Sequence, residues 1–414
     1  MQHVLIIGKV WPEPNSSAAG TRTLDLVEIF QTNGYKVSVA STATKTEFSF
    51  DLETIGVDTY PIVLNSSSFD VFIRDLNPDL VIFDRFITEE QFGWRVAEFC
   101  PKALRVLDTI DLHSLRRARQ EAVKQNKEFE LMTLQDHESA LRELASLYRC
   151  DLSLMISEAE ITILESVFQF PPYLLHYMPF LLEPLSENTI QAWPTYAERS
   201  GFVSIGNFLH EPNWDSVLWI KMVIWPLIRK QLPGARIDIY GAYPSQKVFD
   251  LHKPTEGFYV HGRADSAQSV MQSARVCLAP LRFGAGLKGK LLDALCNGTP
   301  SVTTSVGAEG MHGDLPWAGL LADSPEKIAE AAVRLYSDEI LWTESVAKGV
   351  QIINEVFPKT RHANELITRI RSIQAALPQH RQKNMVGKIL KHQSFTASKY
   401  MALYIEAKNK AQGN

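Results

Sequence analysis

Residues 282–311, RFGAGLKGKLLDALCNGTPSVTTSVGAEGM, contain two glycine-rich turns separated by one short helix and one short strand. The apolar run 276–281 that precedes them is typical of a buried parallel strand. The predicted helix, 291–297, is followed by Gly298 and Pro300, the order in which glycine and proline usually end helices. A strand that leads through glycines into a helix N-terminus predicts an anion site, because N–H groups and the helix dipole attract phosphate.

Basic side chains are interleaved with these glycines. Arg282 and Lys288 stand on either side of Gly284 and Gly286, and all four precede the helix. A helix dipole repels cations at its N-terminal side by a few tenths to about 1 kcal/mol, and a bound anion removes that conflict. We therefore predict that Arg282 and Lys288 bind a phosphate group and that the two glycines let the backbone approach it.

Asp293 lies in the first turn of the predicted helix, on the same face as Lys290 and Asn297. Two interpretations are open for its carboxylate. It accepts hydrogen bonds from ribose hydroxyls beside a phosphate loop, or it complements the helix dipole and pairs with Lys290. The first interpretation makes Asp293 a nucleotide-binding residue.

This stretch resembles the donor-binding region of GT-B glycosyltransferases of the large retaining family 4 (group 1). That family usually carries two Glu eight positions apart, followed by Gly-x-Pro, a strand and a Gly-x-x-Glu-like turn. Asp293 stands where the second Glu would be and Glu309 lies in the turn, but Ala285 replaces the first Glu, which contacts the donor sugar in the family. The chain is similar to the branch with the pattern Arg-x-Gly-x-Gly-x-Lys-x-Lys.

The resemblance implies two Rossmann-like, doubly wound parallel-sheet α/β domains that face each other across a cleft. A length of 414 residues also fits two domains better than one core. Apolar strands alternate with helical segments through the N-terminal half, which independently predicts a parallel sheet with ligands at its carboxyl edge. The predicted parts are an acceptor domain at 1–183, a linker at 184–201, a donor-binding domain at 202–376 and a basic helical tail at 377–414.

The N-terminal half offers two candidate site residues. Gly20 follows a long loop after the first predicted strand, 3–10, which lacks GxGxxG and so argues against an NAD or FAD site. Gly20 is either a donor contact or an ordinary loop glycine. His113 follows the predicted strand 104–107, and the resemblance assigns it to the donor sugar, with Asp111 orienting it or capping the next helix. The alternative is a capping Asp followed by a solvated His.

Three arginines follow in the same predicted helix, which covers much of 115–149. Positive charge in the first turns of a helix opposes the dipole, so the arginines indicate an anionic partner, unless they are simply solvated. They are Arg116, Arg117 and Arg119.

The second domain supplies further donor contacts through the resemblance. Many members carry an Arg and a Lys for the diphosphate after the first strand of this domain, but this chain has neither between Gly206 and Lys221. The charge would then be neutralised by Arg282 and Lys288, with Gly206 and Asn207 as neutral contacts. In the family the turn after a later strand holds the nucleotide base, and here that turn includes Gly262 and Arg263.

Composition excludes several classes of protein. The net charge of −5 argues against general nucleic-acid binding. Four cysteines without CxxC or His spacing indicate reduced core thiols and no zinc site. No two aspartates lie two positions apart, so the DxD signature of metal-dependent transferases is absent and we expect no metal or other cofactor. No apolar run approaches about 18 residues, and we expect a cytoplasmic protein.

The tail carries seven basic residues and one acidic residue, a net charge of +6, with apolar side chains between them. It is either a segment that contacts the cytoplasmic face of a membrane through anionic lipid, or a helix packed on the N-terminal domain with a solvated basic face.

From the resemblance we expect a metal-independent, retaining hexosyltransferase. Its donor would be a nucleotide-diphosphate sugar and its acceptor a glycan or lipid-linked hydroxyl, in bacterial cell-surface polysaccharide or lipopolysaccharide assembly. Two alternatives are open: a nucleotide-sugar epimerase of the same fold, and a non-catalytic sugar-nucleotide-binding subunit, which the missing Glu at Ala285 would permit.

Overall fold

The structure, a computed structural model, describes residues 1–412. The strands are β1 His3–Gly8, β2 Lys36–Ser41, β3 Asp58–Pro61, β4 Leu80–Asp84, β5 Leu104–Asp108, β6 Leu152–Met155, β7 Leu175–Tyr177, β8 Phe202–Ile205, β9 Ile237–Tyr240, β10 Phe258–Gly262, β11 Val276–Ala279, β12 Ser301–Thr303 and β13 Gly319–Leu321. The helices are α1 Ala18–Thr32, α2 Ser68–Leu76, α3 Phe86–Phe99, α4 His113–Lys124, α5 Glu138–Arg149, α6 Glu158–Phe168, α7 Glu187–Gln191, α8 Glu211–Trp219, α9 Trp225–Gln231, α10 Gln246–Phe249, α11 Ala267–Ser273, α12 Gly289–Cys296, α13 Ser305–Ala308, α14 Pro325–Ser337, α15 Glu339–Val356, α16 Lys359–Ala375, α17 Leu377–Lys383 and α18 Met385–Ala411.

The chain forms two compact units. The first consists of residues 1–114, 130–179 and the chain from Arg361 onward, and the second consists of residues 115–129 and 180–360. Each unit contains one sheet in which every strand pair is parallel. The prediction of two doubly wound parallel sheets is therefore confirmed.

The first sheet has seven strands in the order β3-β2-β1-β4-β5-β6-β7, and the second has six in the order β10-β9-β8-β11-β12-β13. The central strands are buried along their length because helices cover both faces of a parallel sheet. In each sheet the strand order reverses direction once, between β1 and β4 in the first and between β8 and β11 in the second. Ligands of such sheets bind at the carboxyl ends of the two strands where the order reverses.

The observed units differ from the predicted division. Residues 115–129, predicted in the first domain, belong to the second unit, and residues 361–376, predicted in the second domain, belong to the first. Arg369 of α16 donates a hydrogen bond to the carbonyl oxygen of Tyr173 at 2.6 Å. The ring of His362 meets that of Tyr177 edge to face at 5.6 Å.

The predicted helix over much of 115–149 is interrupted. α4 ends at Lys124, and Asn126 then adopts a left-handed φ of +52° that ends the helix, before α5 begins at Glu138. The strand predicted at 3–10 already ends at Gly8. β3, β7 and β13 were not predicted, because all three are short edge strands of three or four residues with little full burial.

A π-helical segment separates two α-helices in the connection between β8 and β9. α8 passes into a π-helical turn at Ile220–Ile224 and then into α9. Pro226, in the first turn of α9, has no N–H to donate to the preceding turn, so the regular bonding pattern cannot continue through it.

The tail packs on the first unit. α18 lies against α3 and α5, and Gly387 permits the contact because a Cβ there would lie 2.2 Å from the carbonyl oxygen of Tyr148. Arg381 of α17 donates to both carboxylate oxygens of Asp151, at 2.8 and 2.7 Å, and to the carbonyl oxygens of Pro101 and Ala103. One side of the basic tail is therefore covered by the first unit and makes specific hydrogen bonds with it.

Asp151 is 2 % exposed, and Arg381 together with Arg105 compensates its charge. Burial alone would raise the pKa of this carboxyl, but the two arginines hold it well below its ordinary value. Replacing Arg381 with Ala should lower the free energy of unfolding by about 2–4 kcal/mol at pH 7, because a buried carboxylate loses a partner. Urea unfolding measures this loss.

The matched control is Arg371→Ala, an exposed arginine ten residues earlier, which should change stability by less than about 0.5 kcal/mol. Because the pKa of Asp151 is depressed only in the folded state, its stabilising contribution is present above about pH 4 and is lost as the pH falls further. The Arg381→Ala protein should lose less stability over that acidic range. Equal unfolding energies for the wild type and Arg381→Ala would contradict this account of the tail.

Candidate functional site

The second unit brings two loops together where its strand order reverses. β8 and β11 are hydrogen-bonded neighbours, with Phe202 opposite Val276 and Val203 opposite Cys277. The loop after β8 leads toward β9 on one side, and the loop after β11 leads toward β12 on the other. A crevice for a ligand is expected at their point of divergence.

The loop after β8 is tightly packed. The side chain of Asn213 donates to the carbonyl oxygen of Asn207 at 2.9 Å, and the Asn207 side chain accepts from the N–H of Leu209 at 2.8 Å. A Cβ on Gly206 would lie 2.8 Å from the Asn213 amide nitrogen and 3.1 Å from Nζ of Lys290. Gly206 is therefore required for close approach between this loop and the first turns of α8 and α12.

Arg282, directly after β11, has a carboxylate partner. Its Nε donates to Oδ2 of Asp215 at 2.9 Å, a second bond joins the guanidinium to Oδ1, and the group lies over the Trp219 ring at 5.5 Å. The predicted conflict between Arg282 and the helix dipole is therefore relieved by Asp215 in the structure, which corrects the argument that only a bound anion removes it. The side chain is still 38 % exposed, so the guanidinium also faces solvent.

Lys288 is buried at the start of α12. It occupies the N-cap position, and its Nζ donates to the carbonyl oxygen of Gly286 at 2.6 Å. The amine therefore lies inside the glycine loop, as the sequence predicts. Gly286 has a φ of +61°, a left-handed conformation that glycine adopts without strain.

In the first turns of α12, Lys290 is buried and Asp293 is partly buried. No ion pair joins the two side chains within residues 1–412, so the predicted alternative of a Lys290–Asp293 pair is not found. Burial raises the pKa of Asp293 to about 6. At pH 7 the carboxylate is mostly ionised and able to accept hydrogen bonds from a ligand.

Glu309 is held by Arg119. The guanidinium donates to both carboxylate oxygens at 2.7 Å, and it also donates to the carbonyl oxygen of Gly284 at 2.9 Å. Burial would raise the pKa of Glu309, but Arg119 and Lys288 together lower it. This pair was not predicted, because its partners lie 190 positions apart in the sequence. Arg119 is 9 % exposed and is held by Glu309, so it is not a solvated arginine.

His113 lies in the first unit, at the start of α4. Its Nδ1 is 3.4 Å from carboxylate oxygens of both Asp111 and Glu143. Glu143 also accepts from the backbone N–H groups of His113 and Ser114, so it caps α4. Burial would raise the pKa of Glu143, but His113 and Ser114 hold it below its ordinary value. Glu143 was not predicted, since nothing local in the sequence ties α5 to this turn.

Gly20 also lies in the first unit and has a packing role. A Cβ there would lie 2.5–2.6 Å from backbone atoms of Glu13, so the loop after β1 can close only over glycine. This contact accounts for the glycine by packing, and the donor contact of Gly20 stays a prediction.

Gly262 ends β10 in the second unit, and its carbonyl oxygen accepts from the N–H of Gly241 at 2.7 Å. Arg263 follows it and is partly buried. The two residues lie at the carboxyl edge of the second sheet, together with the loops after β8 and β11.

Within the described residues 1–412, no three His, Cys, Asp or Glu side chains are grouped so that they hold a metal ion. In the same range no helix combines the length and the apolarity that crossing a membrane requires.

Comparison with known families places this site in context. Residues 199–338, which is 140 of the 414 residues, match the family model described as glycosyl transferases group 1. The match spans the loops after β8, β10, β11 and β12. Comparison with curated proteins finds no match.

Solved structures share the fold over most of the chain. Sucrose-phosphate synthase from Thermosynechococcus elongatus has a TM-score of 0.64 at 15 % identity, with 91 % of this chain and 100 % of that chain covered. HepE from Anabaena, in complex with UDP and glucose, has a TM-score of 0.65 at 11 % identity, with 90 % and 100 % covered. WaaG, a glycosyltransferase involved in lipopolysaccharide biosynthesis, has a TM-score of 0.59 at 12 % identity, with 88 % and 98 % covered. Residues 199–338 thus match a glycosyltransferase family, and the chain has the GT-B fold.

Proposed function

We propose that this protein is a glycosyltransferase that moves a sugar from a nucleotide-diphosphate sugar to a hydroxyl of a glycan or lipid-linked acceptor. The observation that carries the proposal is the loop after β11, in which Arg282, Lys288 and the N-terminus of α12 supply positive charge at the carboxyl edge of the sheet. This loop lies inside the region that matches glycosyl transferases group 1.

The structural neighbours support the class of donor. HepE was solved with UDP and glucose, and TarM of S. aureus was solved with UDP and alpha-GlcNAc-glycerol. WaaG acts in lipopolysaccharide biosynthesis. We propose by analogy that this protein uses a nucleotide-diphosphate sugar as its donor and acts in cell-surface polysaccharide assembly. Retention of anomeric configuration is proposed from the family 4 resemblance.

In the proposed mechanism the diphosphate leaves with its new charge stabilised by Arg282 and Lys288. Fixed cations and N–H groups in a partly buried site stabilise such charge without reorganisation. A leaving phosphate oxygen then takes the proton of the incoming hydroxyl on the same face of the sugar. Asp293 accepts from the ribose, and Glu309, fixed by Arg119, binds the donor.

The remaining predicted contacts complete the proposal. The guanidinium or backbone of Arg263, together with Gly262, would hold the base, and Gly206 and Asn207 would lie beside the diphosphate. His113 would reach the donor sugar, with its ring oriented by Glu143 and Asp111.

One experiment separates this proposal from its alternatives. Purified protein is incubated with radiolabelled sugar nucleotides and a bacterial membrane extract. Transfer of label to the extract supports the glycosyltransferase, inversion at C2 of the sugar supports an epimerase, and binding without turnover supports a non-catalytic subunit.

Arg282→Ala and Lys288→Ala should each lower the rate of transfer by about 10²–10³, the scale of losing one fixed charge stabiliser. Arg282→Ala should also lower stability by about 0.5 kcal/mol, because its partly exposed pair with Asp215 is lost. Turnover measurements and thermal melts test both effects.

Arg236→Ala is the matched control, since Arg236 forms a similar partly exposed pair with Asp238 in the same unit but before β9, at the amino end of the strand. It should cost similar stability and leave transfer unchanged. Wild-type turnover in the Arg282 and Lys288 variants would show that the donor binds elsewhere.

Transfer should keep its full rate in excess EDTA. Two cationic side chains at a diphosphate can supply the charge that a divalent ion supplies in metal-dependent transferases. The rate is measured after exhaustive EDTA treatment, with Mg²⁺ or Mn²⁺ then added back. Loss of activity that either ion restores would overturn the metal-independent mechanism.

We also propose that α18 contacts an anionic membrane surface. One stripe of the helix exposes apolar side chains, each 39–66 % accessible, and exposed lysines flank it. The apolar residues are Met385, Val386, Ile389, Tyr400, Leu403 and Tyr404. This arrangement fits a helix that lies in the plane of a lipid headgroup layer.

The variant Ile389→Ser/Tyr400→Ser/Tyr404→Ser should lower co-sedimentation with phosphatidylglycerol vesicles by about tenfold, because it removes apolar area that would be buried in the headgroup layer. Met132→Ser, which removes another exposed apolar side chain of the same unit, is the control and should change nothing. Equal binding of the triple variant and the wild type would exclude this face.

A further inference from the structure

Lys290 of α12 is a buried amine without a hydrogen-bonding partner. The residue is 9 % exposed, and its Nζ makes no hydrogen bond within residues 1–412. It points toward the loop after β8, where a Cβ on Gly206 would lie 3.1 Å from Nζ and 2.8 Å from the amide nitrogen of Asn213. An isolated buried ammonium is costly, so proteins normally pair such a group.

The groups around Lys290 do not neutralise it. On β11, the Cys277 thiol has its pKa raised to about 12 by burial and is uncharged at neutral pH. On α8, Asn213 is neutral and Asp215 is bound to Arg282. On α12 itself, Asp293 forms no ion pair with Lys290.

At the start of α12, Lys288 adds a second positive charge, and its amine donates to the carbonyl oxygen of Gly286. Burial accordingly lowers the pKa of Lys290 to about 8.

Lys221, a mostly buried lysine of the same unit, has the partners expected of a structural residue. Lys221 has a side chain of 10 % exposure, but its Nζ bonds to Glu256 at 2.6 Å and lies over the Phe258 ring at 4.7 Å. The pair lowers the pKa of Glu256 to about 2, through hydrogen bonds from Lys221 and Lys253. The charge of Lys221 is therefore neutralised by a carboxylate, as expected for a structural ion pair. Lys290 differs from Lys221 because no carboxylate of the described chain pairs with it.

The position of Lys290 indicates that the missing partner of its amine is an anion. It lies in the first turn of an eight-residue helix, between the loops after β8 and β11, where the helix dipole favours negative charge. An anion held there would contact the amine, the helix N-terminus and the loop containing Gly206 together. The loop after β8 contributes no Arg or Lys before Lys221, so α12 provides the charge that this loop lacks.

We propose that Lys290 is a third cation of the donor site and binds the diphosphate of the nucleotide sugar from the α12 side. The inference rests on the proposed function, since it takes the diphosphate as the ligand of this crevice. Near pH 8 the amine of Lys290 is neutral in a fraction of the nucleotide-free molecules. Beside the diphosphate it is charged in all of them.

Binding of a nucleoside diphosphate is therefore coupled to proton uptake above pH 7. From a pKa of about 8, roughly a tenth of the amines are neutral at pH 7.0 and roughly three quarters at pH 8.5. Binding should take up about 0.1 proton at pH 7.0 and about 0.7 proton at pH 8.5. Asp293, whose pKa is about 6, is about nine-tenths ionised at pH 7.0 and fully ionised at pH 8.5, so the uptake at pH 8.5 comes from Lys290 alone.

The test is calorimetric titration of the full chain with UDP, GDP, ADP, CDP and dTDP, in buffers of different ionisation enthalpy at both pH values. Lys290→Met should weaken binding by about 10²-fold at pH 7.0, abolish proton uptake at pH 8.5 and raise the melting temperature of the empty protein. The rise distinguishes a ligand-binding amine from a structural one, since removal of an unpaired buried charge stabilises the fold.

Two further variants complete the comparison. Lys290→Arg stays charged at both pH values, so it should retain binding but show no proton uptake. Lys221→Met should lower the melting temperature and leave nucleotide affinity and proton uptake unchanged.

The outcomes are distinguishable. If the wild type binds a nucleoside diphosphate without the added proton uptake at pH 8.5, or if Lys290→Met binds as tightly as the wild type, the role of Lys290 is wrong and the proposed function stands. If the wild type binds none of the five nucleotides, the proposed function fails, and the assignment of Lys290 fails with it. The proton uptake of the wild type decides the point even if Lys290→Met does not fold.

Discussion

The pairing of β8 with β11 is the constraint on which the candidate site depends. These strands are neighbours in space but lie some 70 residues apart in the chain, and the loops that leave them turn in opposite directions. Side chains at their carboxyl ends are thereby brought to one edge of the sheet, an arrangement that no segment of the sequence forms alone. Gly206 on one side and the 282–288 loop on the other meet α12 there because no Cβ at Gly206 intervenes.

Positive charge in this region is neutralised unequally. Arg282 and Arg119 each have a carboxylate, from Asp215 and Glu309, and Lys288 has a backbone carbonyl. Lys290 has no such partner within residues 1–412. The arginine pairs therefore join separate segments of the second unit, whereas Lys290 is a buried cation with no hydrogen-bonding partner in the described part of the chain.

The sequence predicts the local parts of this arrangement well and the long-range parts poorly. The strand before Arg282, the glycine loop and α12 follow from periodicity and from Gly298 and Pro300, because these signals act within a few residues. The Arg119–Glu309 pair joins positions 190 apart, and no pattern in a single sequence connects them. The interrupted segment after Lys124 was missed for a related reason, since its polar residues resemble an exposed helix face.

The return of the chain to the first unit has a consequence for synthesis on the ribosome. Residues 180–360 are complete before the segment from Arg361 onward has been made, so most of the second unit is available to fold while the first still lacks α16, α17 and α18. Until Arg381 emerges, Asp151 lacks one of its two arginine partners and the surfaces of α3 and α5 stay uncovered. The first unit therefore cannot complete its packing until α18 has been synthesised.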